Sequence, residues 1–422
     1  MIRQGKEATR RRVVITGMGI VTAFGAGKTE NLNGLKNGTG AIGKINSFDV
    51  SQYRGKTGGE IRDFVFNLSL KTLRPSRLDR ASKLLLTAFA EASFEAGFAD
   101  NGIKEETIVV LGTTLGGMAS GERFYRDWLK KGFNKTKPSL LLDYLAHYQG
   151  MHLIEENNLD AEVIIISNAC ASGTNAIGYA FDRIRSGDVD IAIAGGYDTM
   201  CEFTFAGFNS LMAVTPDLCR PFDRNRDGLI LGEGVGIIIM EDLEHALSRK
   251  AKTVGEITGY GESSDAFHMT RPDPDGSGAA LAMERALEDA DIKPRDVEYI
   301  NAHGTGTPYN DLSEAKAINS VFGKHAMDIP VSSIKPMIGH LLGGAGAVEA
   351  IATTLAMNNR FLPMNLNYEI SDPECPVNVV TCAAQRDVRT AISNSFGFGG
   401  ANATVVMQKF EVPKVKNSSF QL

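Results

Sequence analysis

The sequence predicts an α/β layered fold from three patterns in its 422 residues. Short β-branched runs alternate with helical stretches, which is typical of sheets covered by helices. Glycine is in excess, with 45 residues against a usual level of roughly 7%, and it clusters where predicted strands end. The linker-free sequence contains no proline-rich or serine-rich spacer. Any two halves must therefore pack tightly against each other.

The strands are predicted where β-branched and apolar residues run together between turn signals. They are Arg12–Thr16, Thr107–Leu111, Glu162–Ser167, Asp190–Ala194, Val235–Glu241, Val254–Tyr260, Tyr299–Ala302, Pro330–Ser333 and Thr404–Gln408. The helices are predicted over 81–97, 140–157, 172–186, 278–290, 310–322 and 343–357.

Two segments of the chain resemble each other. EVIIIS, which begins at Glu162, leads through a turn into a helix rich in Ala and Gly, and PVSSI, which begins at Pro330, does the same. Small residues on several sides of a helix indicate burial, because they let neighbouring elements approach closely. A duplicated fold with two buried central helices fits this pattern. Two unrelated helices of one α/β domain fit it equally well.

Composition excludes several classes of protein. Hydrophobic residues make up 43% and charged residues 22% of the chain, enough for a sizeable core. The net charge of −6 argues against broad nucleic-acid binding. No apolar run reaches the roughly 18–20 residues of a membrane helix. The five cysteines form no CxxC pair and the seven histidines no HExxH motif. We expect a cytoplasmic protein with reduced thiols.

Two nucleotide-binding motifs are incomplete near the N-terminus. VVITGMGIVT resembles a dinucleotide fingerprint, and GAGKT resembles the end of a phosphate-binding loop. Both motifs need a glycine at position 22, where Thr22 stands. A first strand followed by a glycine turn explains the segment without a bound nucleotide.

Cys170 lies in a stronger context, the segment NACASG between a predicted strand and a predicted helix. Free amide groups and the helix dipole at that end stabilise negative charge, which favours the thiolate of a nucleophilic cysteine. An inert buried cysteine is the commoner fate of this residue type. The segment alone leaves both interpretations open.

Two histidines stand in similar glycine-rich and hydroxyl-rich contexts. His303 opens HGTGTP at a strand end, and His340 precedes the second Ala/Gly helix. Lys335 and Glu349 flank His340 and could form a buried charge pair that holds it, provided that the pair is well hydrogen-bonded. Residues 394–400, NSFGFGG, read as a glycine-rich loop before the last strand.

Four motifs in this order, NACASG, NAHGTGTPYND, SSIKPMIGHLLGGAGAVEA and NSFGFGGANA, resemble the β-ketoacyl-acyl-carrier-protein synthases, closest to the elongating type II class. The resemblance covers residue 11 to about 410. It implies the thiolase fold, with two duplicated βαβαβαββ halves in a five-layer αβαβα sandwich, and a dimer. The expected boundaries are 11–255 for the half with the cysteine and 256–411 for the half with the histidines. Residues 1–10 and 412–422 are expected to be flexible tails.

The resemblance also implies roles for single residues. Cys170 matches the acyl-accepting nucleophile, and His303 and His340 match the two histidines of decarboxylation and condensation. Lys335 matches the supporting lysine. The remaining expected site residues are Glu349 as the acidic partner of the lysine, the amides of Cys170 and Phe398 as oxyanion hole, Phe398 as gate, and Thr305, Thr307, Phe208 and Leu115 as pantetheine or substrate contacts.

The implied activity is a decarboxylative condensation of an acyl-enzyme with malonyl-acyl carrier protein. No metal or organic cofactor is expected, because 4′-phosphopantetheine is carried by the partner acyl carrier protein. The second subunit is expected to be an identical chain or a chain-length-factor-like homologue. SSIKPMIGH and SDPEC read more like type II polyketide ketosynthases, with housekeeping fatty-acid elongation as the alternative.

Other classes of protein fit less well. A papain-like protease has a CGSCW-like signature, which is absent here. A non-catalytic chain-length factor lacks the active-site cysteine, whereas Cys170 is present. A thiolase or an initiating enzyme would share the fold, but this Cys-His-His set favours elongation.

Two basic clusters could dock an acidic carrier protein despite the negative net charge. The first contains Lys71, Arg74, Arg77, Arg80 and Lys83, and the second contains Lys130, Lys131, Lys135 and Lys137. Lys71, Arg74 and Arg77 are the candidate docking residues. A solvated charged face is the ordinary meaning of such runs and stands as the alternative.

Overall fold

The computed structural model describes residues 10–98 and 102–411. Of the tails expected at 1–10 and 412–422, residues 1–9 and 412–422 lie outside the described residues.

The first half of the chain alternates strands and helices before it ends in two consecutive strands. Its elements are β1 (Val13–Thr22), α1 (Arg80–Glu95), β2 (Thr107–Gly112), α2 (Tyr148–Asn157), β3 (Ala161–Ile166), α3 (Ser172–Arg185), β4 (Ile191–Asp198) and β5 (Gly234–Asp242).

The second half repeats this order. Its elements are β6 (Gly255–Ser264), α4 (Ser277–Asp289), β7 (Tyr299–Asn301), α5 (Pro308–Phe322), β8 (Pro330–Ser332), α6 (Ala345–Asn358), β9 (Thr390–Phe396) and β10 (Ala401–Gln408). Additional helices cover Lys28–Asn37, Met118–Lys131, Ser139–Tyr144, Glu202–Ser210, Leu243–Ser248 and Lys335–Ile338. Short two-residue strands cover Gly25–Ala26, Gly43–Lys44, Thr57–Gly58, Phe361–Leu362, Asn378–Val379 and Ala384–Gln385.

The strand order shows the duplication directly. The first half is ordered β3-β2-β4-β5-β1 and the second β8-β7-β9-β10-β6. In each half the three strands nearest the outer edge are parallel and the last two pairings are antiparallel. Val13–Ile15 of β1 pair with Gly255–Ile257 of β6 and join the two sheets. The resemblance between the two segments is therefore a true repeat.

The helices form three layers around the two sheets. α3 and α6 lie between the sheets and contact strands of both halves, while α1 packs outside β1 and β5 and α4 packs outside β6 and β10. Every residue of α6 from Ala345 to Met357 is buried. A Cβ on Gly173 would lie 2.7 Å from the backbone oxygen of Gly343, so a small residue is required where the central layer is tightest. The expected five-layer arrangement is confirmed.

Two predictions about single elements were wrong. The helix expected over 140–157 is two helices, because the backbone of Leu145 is extended. The expected loop over 394–400 begins inside a strand, since Asn394, Ser395 and Phe396 end β9. The polar side chains of Asn394 and Ser395 are buried and hydrogen-bonded: Asn394 Oδ1 accepts from the Thr404 hydroxyl at 2.9 Å. Strand β9 was not predicted, since its polar residues resemble a loop.

The sheet of the first half ends in an apolar edge. Within the described ranges β3 pairs with β2 alone, and Val163, Ile164, Ile165 and Ile166 are all partly exposed. Apolar side chains on a free edge are normally covered by another chain or element. None of the helices in residues 10–98 and 102–411 is long and apolar enough to span a lipid bilayer.

Candidate active site

Cys170 lies in a tight turn between β3 and α3. A 3₁₀ turn covers Ala169–Ala171, and it begins with Ala169 in the left-handed region at φ 57°. The Ser172 hydroxyl accepts from the Asn168 N–H at 2.9 Å and donates to the Ala169 carbonyl at 2.6 Å. This turn holds Cys170 at the buried end of α3, where the side chain is 5% exposed.

Burial dominates the acidity of this cysteine. Desolvation raises the pKa of Cys170 to about 12, and the nearby Lys335 ammonium lowers it by less. The expected stabilisation of the thiolate by the helix end is therefore outweighed in the free protein. The backbone N–H of Phe398 lies close enough to the sulfur to lower the pKa of Cys170 by a further, smaller amount. It thus lies where it could also bind an oxygen that develops on an acyl group at this sulfur.

His303 and His340 come together beside Cys170. The sulfur of Cys170 and one imidazole nitrogen of each histidine lie within 4.8 Å of one another. The two rings are edge to face, with centroids 5.2 Å apart and planes at 81°. The structure therefore joins residues from both halves of the repeat, Cys170 from the first and the two histidines from the second.

Both imidazoles are neutral. Burial, and then the positive charge of Lys335, hold the pKa of His303 and that of His340 well below the ordinary value. His340 Nδ1 accepts a hydrogen bond from the Leu342 N–H at 3.3 Å, so its proton sits on Nε2. That Nε2 is buried without a hydrogen-bond partner among the described residues. The Nε2–H group of His340 can therefore donate a hydrogen bond to a group bound in the site.

Lys335 and Glu349 form the expected buried ion pair. Their side chains are 1% and 3% exposed. Lys335 Nζ also donates to the backbone oxygen of His303 at 2.5 Å. Burial raises the pKa of Glu349, against the lowering effect of Lys335. Lys335 thus fixes the backbone of His303, and its positive charge adds to the effect of burial that keeps both imidazoles neutral.

Three acidic residues that support the site were missed by the sequence analysis. Glu314 accepts from the N–H groups of His303 and Gly304, both at 2.8 Å. Asp311 accepts from the Thr305 N–H at 3.1 Å. The one available signal was their spacing: residues 311 and 314 lie on the first turns of the helix that follows the HGTGTP loop.

Asp198 is the third of these residues and joins the two halves. It accepts from the Thr113 hydroxyl at 2.6 Å, from the Leu115 N–H at 2.8 Å and from the Gly343 N–H at 2.7 Å. Burial raises its pKa to about 6. No local pattern marks it, because its partners lie far away in the sequence.

A cavity of about 600 Å³ connects the three reactive residues to the surface. Among the predicted contacts, Thr305, Thr307, Phe208 and Phe398 line it. The rings of Phe208 and Phe398 stack with centroids 5.5 Å apart. The fifth predicted contact, Leu115, packs against a neighbouring apolar cluster, as Phe208 also does, and does not line this cavity.

The donors of Cys170, His303 and His340 are of the types that bind zinc. The separation of up to 4.8 Å is wider than the roughly 3.5 Å between ligands that bond zinc at about 2.0–2.3 Å, and the cysteine is protonated. The arrangement fits a resident ion poorly. A reaction without metal or organic cofactor stays a prediction.

The structure gives the residues of the two predicted basic clusters different surroundings. Arg80 Nη2 donates to Glu233 at 2.6 Å and is occupied within the fold. Arg77, Lys83 and Lys137 line a second cavity of about 860 Å³, which brings members of both clusters together. Lys71, Arg74 and Arg77 remain on the surface beside α1.

Comparison with known proteins gives matches over almost the whole chain. The family model "Beta-ketoacyl synthase, N-terminal domain" matches residues 10–246, and "Beta-ketoacyl synthase, C-terminal domain" matches residues 254–369. The chain is 39% identical over 412 residues to a 3-oxoacyl-[acyl-carrier-protein] synthase 2 of Synechocystis, covering 95% of this chain and 99% of that protein. A synthase of the same name from Staphylococcus aureus is 39% identical over 414 residues, with the same coverage.

Solved structures are similar over the same length. A structure described as the ishigamide ketosynthase/chain length factor matches with a TM-score of 0.91 at 35% identity, covering 96% of this chain and 100% of that one. A type II polyketide acyl carrier protein in complex with its ketosynthase, bound to the hexaketide, matches with a TM-score of 0.88 at 29% identity, covering 95% and 100%.

Proposed function

This chain belongs to the β-ketoacyl synthase family, and we propose that it joins an acyl group held on Cys170 to a malonyl group carried by an acyl carrier protein. It is an acyltransferase of the 3-oxoacyl-[acyl-carrier-protein] synthase class. One observation carries the assignment of roles. A buried thiol, the nearby backbone N–H of Phe398 and two neutral imidazoles meet at the end of one cavity.

In the first step Cys170 accepts the acyl group. Its sulfur attacks the carbonyl carbon of the carrier thioester, the carbon bonds to Cys170, and the bond to the pantetheine sulfur breaks. The thiol proton passes to a neighbouring neutral imidazole and then to the departing pantetheine thiolate. The amides of Cys170 and Phe398 bind the transient oxyanion.

In the second step the histidines act on malonyl thioester. The bond between its carboxylate and its central carbon breaks and releases CO₂, while the electron pair forms an enolate. His303 and His340 donate hydrogen bonds to the enolate oxygen, which neutral imidazoles can do without first gaining a proton. The enolate carbon attacks the acyl carbonyl on Cys170. Collapse of the resulting oxyanion expels the Cys170 thiolate, which then regains a proton.

Separate assays of the two steps test this division of roles. Cys170→Ala should abolish the acyl adduct seen by intact mass spectrometry after incubation with acyl carrier protein, because no sulfur remains to carry it. Cys170→Gln should lose the adduct and keep malonyl decarboxylation. His303→Ala should slow CO₂ release by about 10²–10³, the usual effect of one oxyanion donor. An adduct on Cys170→Ala, or wild-type CO₂ release by His303→Ala, contradicts the proposal.

We propose that the acidic carrier protein docks on Lys71, Arg74 and Arg77. What supports this surface is its exposed positive charge on a chain of net charge −6. Rim charges of this kind mainly raise the association rate and are screened by salt. Arg74→Glu combined with Arg77→Glu should raise KM for the carrier protein strongly and leave a small pantetheine thioester unaffected. Equal loss with both substrates contradicts docking here.

We further propose that a second subunit covers the edge strand β3 and that the chain serves type II polyketide or polyene assembly. The partly exposed apolar residues 163–166 support a strand-to-strand contact with a homologous chain. The similarity to a ketosynthase/chain length factor structure supports the pathway. Native mass spectrometry with a Cys-less homologue from a neighbouring reading frame tests both. If a homodimer alone completes acyl elongation, the alternative of fatty-acid elongation is correct.

A further inference from the structure

The cavity that leads to Cys170 has a buried end and an exposed end. Cys170 and His303 are 5% and 2% exposed, whereas Tyr309 on the same cavity is 56% exposed. Arg271, also exposed, lines the cavity with Tyr309. Arg271 and Tyr309 therefore mark the mouth of the cavity, and the reactive groups mark its floor.

Arg271 is the single Lys or Arg side chain among the described residues that line this cavity. Within the described part of the chain it forms neither an ion pair nor a hydrogen bond to a carboxylate. The two acidic residues on the cavity wall are occupied elsewhere. Asp265 accepts from Asn402 at 2.6 Å, and Asp227 pairs with Arg54 at 2.9 Å. Among the described residues neither of these carboxylates pairs with the guanidinium of Arg271.

The guanidinium is nevertheless held in place. Its central carbon lies 4.7 Å from the centre of the Tyr309 ring. Stacking on an aromatic ring uses the flat face of a guanidinium and leaves the N–H groups on its edge available. Those groups match the oxygens of a phosphate or a carboxylate in a two-point contact. The mouth thus carries an oriented cation without an internal partner.

We propose that Arg271, held by Tyr309, binds the phosphate of the 4′-phosphopantetheine arm while the thioester end of the arm reaches Cys170. This inference rests on the proposed function and names the part of the substrate that the mouth recognises. The arm carries one anionic group, at the end opposite its sulfur. The cavity floor is lined by neutral imidazoles and a protonated thiol. The anion is therefore best placed at the mouth, beside the unpaired cation.

Two small substrates that differ only in the phosphate test this assignment. Malonyl phosphopantetheine and malonyl pantetheine are compared by CO₂ release. The wild type should show a KM about fivefold lower for the phosphorylated thioester, as one exposed ion pair provides. Arg271→Ala should bring the two KM values together without changing kcat or the KM of malonyl pantetheine. Added salt should narrow the wild-type difference.

Matched variants separate phosphate binding from general effects. Arg271→Lys should retain part of the preference, and Tyr309→Ala should weaken it, because the guanidinium is no longer oriented. Arg295→Ala removes a similarly exposed arginine that does not line the cavity and should change nothing. An unchanged preference in Arg271→Ala, or none in the wild type, overturns the inference. Inactivity of the wild type with both thioesters overturns the proposed function itself.

Discussion

The two turns that precede the central helices are built alike and used differently. The Cys170 turn (Ala169–Ala171) and the Gly343 turn (Leu342–Gly344) are both 3₁₀ turns that lead directly into a buried helix. Each begins with a non-glycine residue in the left-handed region, Ala169 at φ 57° and Leu342 at φ 53°. Cys170 and Gly343 therefore occupy equivalent positions in the repeat.

What lies opposite each turn explains the difference. Cys170 faces the cavity. A Cβ on Gly343 would lie 2.4 Å from the Thr114 nitrogen and 2.6 Å from the Thr113 carbonyl carbon. These backbone atoms leave no room for a side chain at position 343. The Gly343 N–H donates to Asp198 and helps to hold the turn. The repeat supplies the same backbone twice, but only one copy has space for a reactive group.

The largest expected difference between the halves concerns the interactions that hold each half's part of the site in place. The second half relies on the buried pair of Lys335 and Glu349, whereas the Cys170 turn relies on the Ser172 hydroxyl. Lys335→Met should lower the free energy of unfolding by about 3–5 kcal/mol, since it strands a buried carboxylate. Ser172→Ala should cost only about 1 kcal/mol.

Urea unfolding of both variants checks this difference. The double variant Lys335→Met with Glu349→Leu should regain most of the stability, because neither charge is then left buried alone. It should not regain wild-type decarboxylation, since the backbone of His303 loses its ammonium contact. Equal free energies of unfolding for the Lys335→Met and Ser172→Ala proteins would contradict the prediction that the two halves are held differently.

A smaller effect is expected from filling the Gly343 turn. Gly343→Ala should lower the free energy of unfolding by about 1–3 kcal/mol, as overpacking does, because the new Cβ meets backbone atoms that cannot move aside. Gly207→Ala is the control, as a Cβ there meets nothing within 4 Å. Chemical denaturation of both proteins measures the effect. A stable Gly343→Ala protein would mean that space does not decide which turn carries the thiol.

The smallest effect is expected from pH on the second half. The pKa of each imidazole lies well below the ordinary value, so both stay neutral between about pH 8 and about pH 6.5, where free imidazole begins to gain a proton. Malonyl decarboxylation by Cys170→Gln should change less than about twofold over this interval and fall at lower pH. A tenfold fall before the pH reaches about 6.5 would show that a group of the site titrates there, either an imidazole or Glu314, whose pKa burial raises to about 7.

The sequence was most informative where chemistry follows local context. Cys170 and His303 each follow a strand, His340 follows a short helix, and all three have glycine within three residues, a pattern visible from a few neighbours. Asp198 and Glu314 were invisible because they bind backbone N–H groups, which every residue type carries. Strand β9 was missed because Ser393, Asn394 and Ser395 satisfy their polar groups with distant partners such as Asn301 and Thr404, contacts that only the folded chain reveals.

The position of β1 in the sheet limits how far the chain can fold while it is being synthesised. All ten residues of this strand are buried, and apart from the two-residue strand Gly25–Ala26 its sheet neighbours in the described chain are β5 and β6, which begin at Gly234 and Gly255. A ribosome adding about 5–20 residues per second needs roughly 10–40 s to travel from the end of β1 to the start of β5. Throughout that interval the emerging chain carries an apolar strand whose two long sheet neighbours have not yet been synthesised. The first half therefore cannot complete its sheet strand by strand, and must wait for its own last strand.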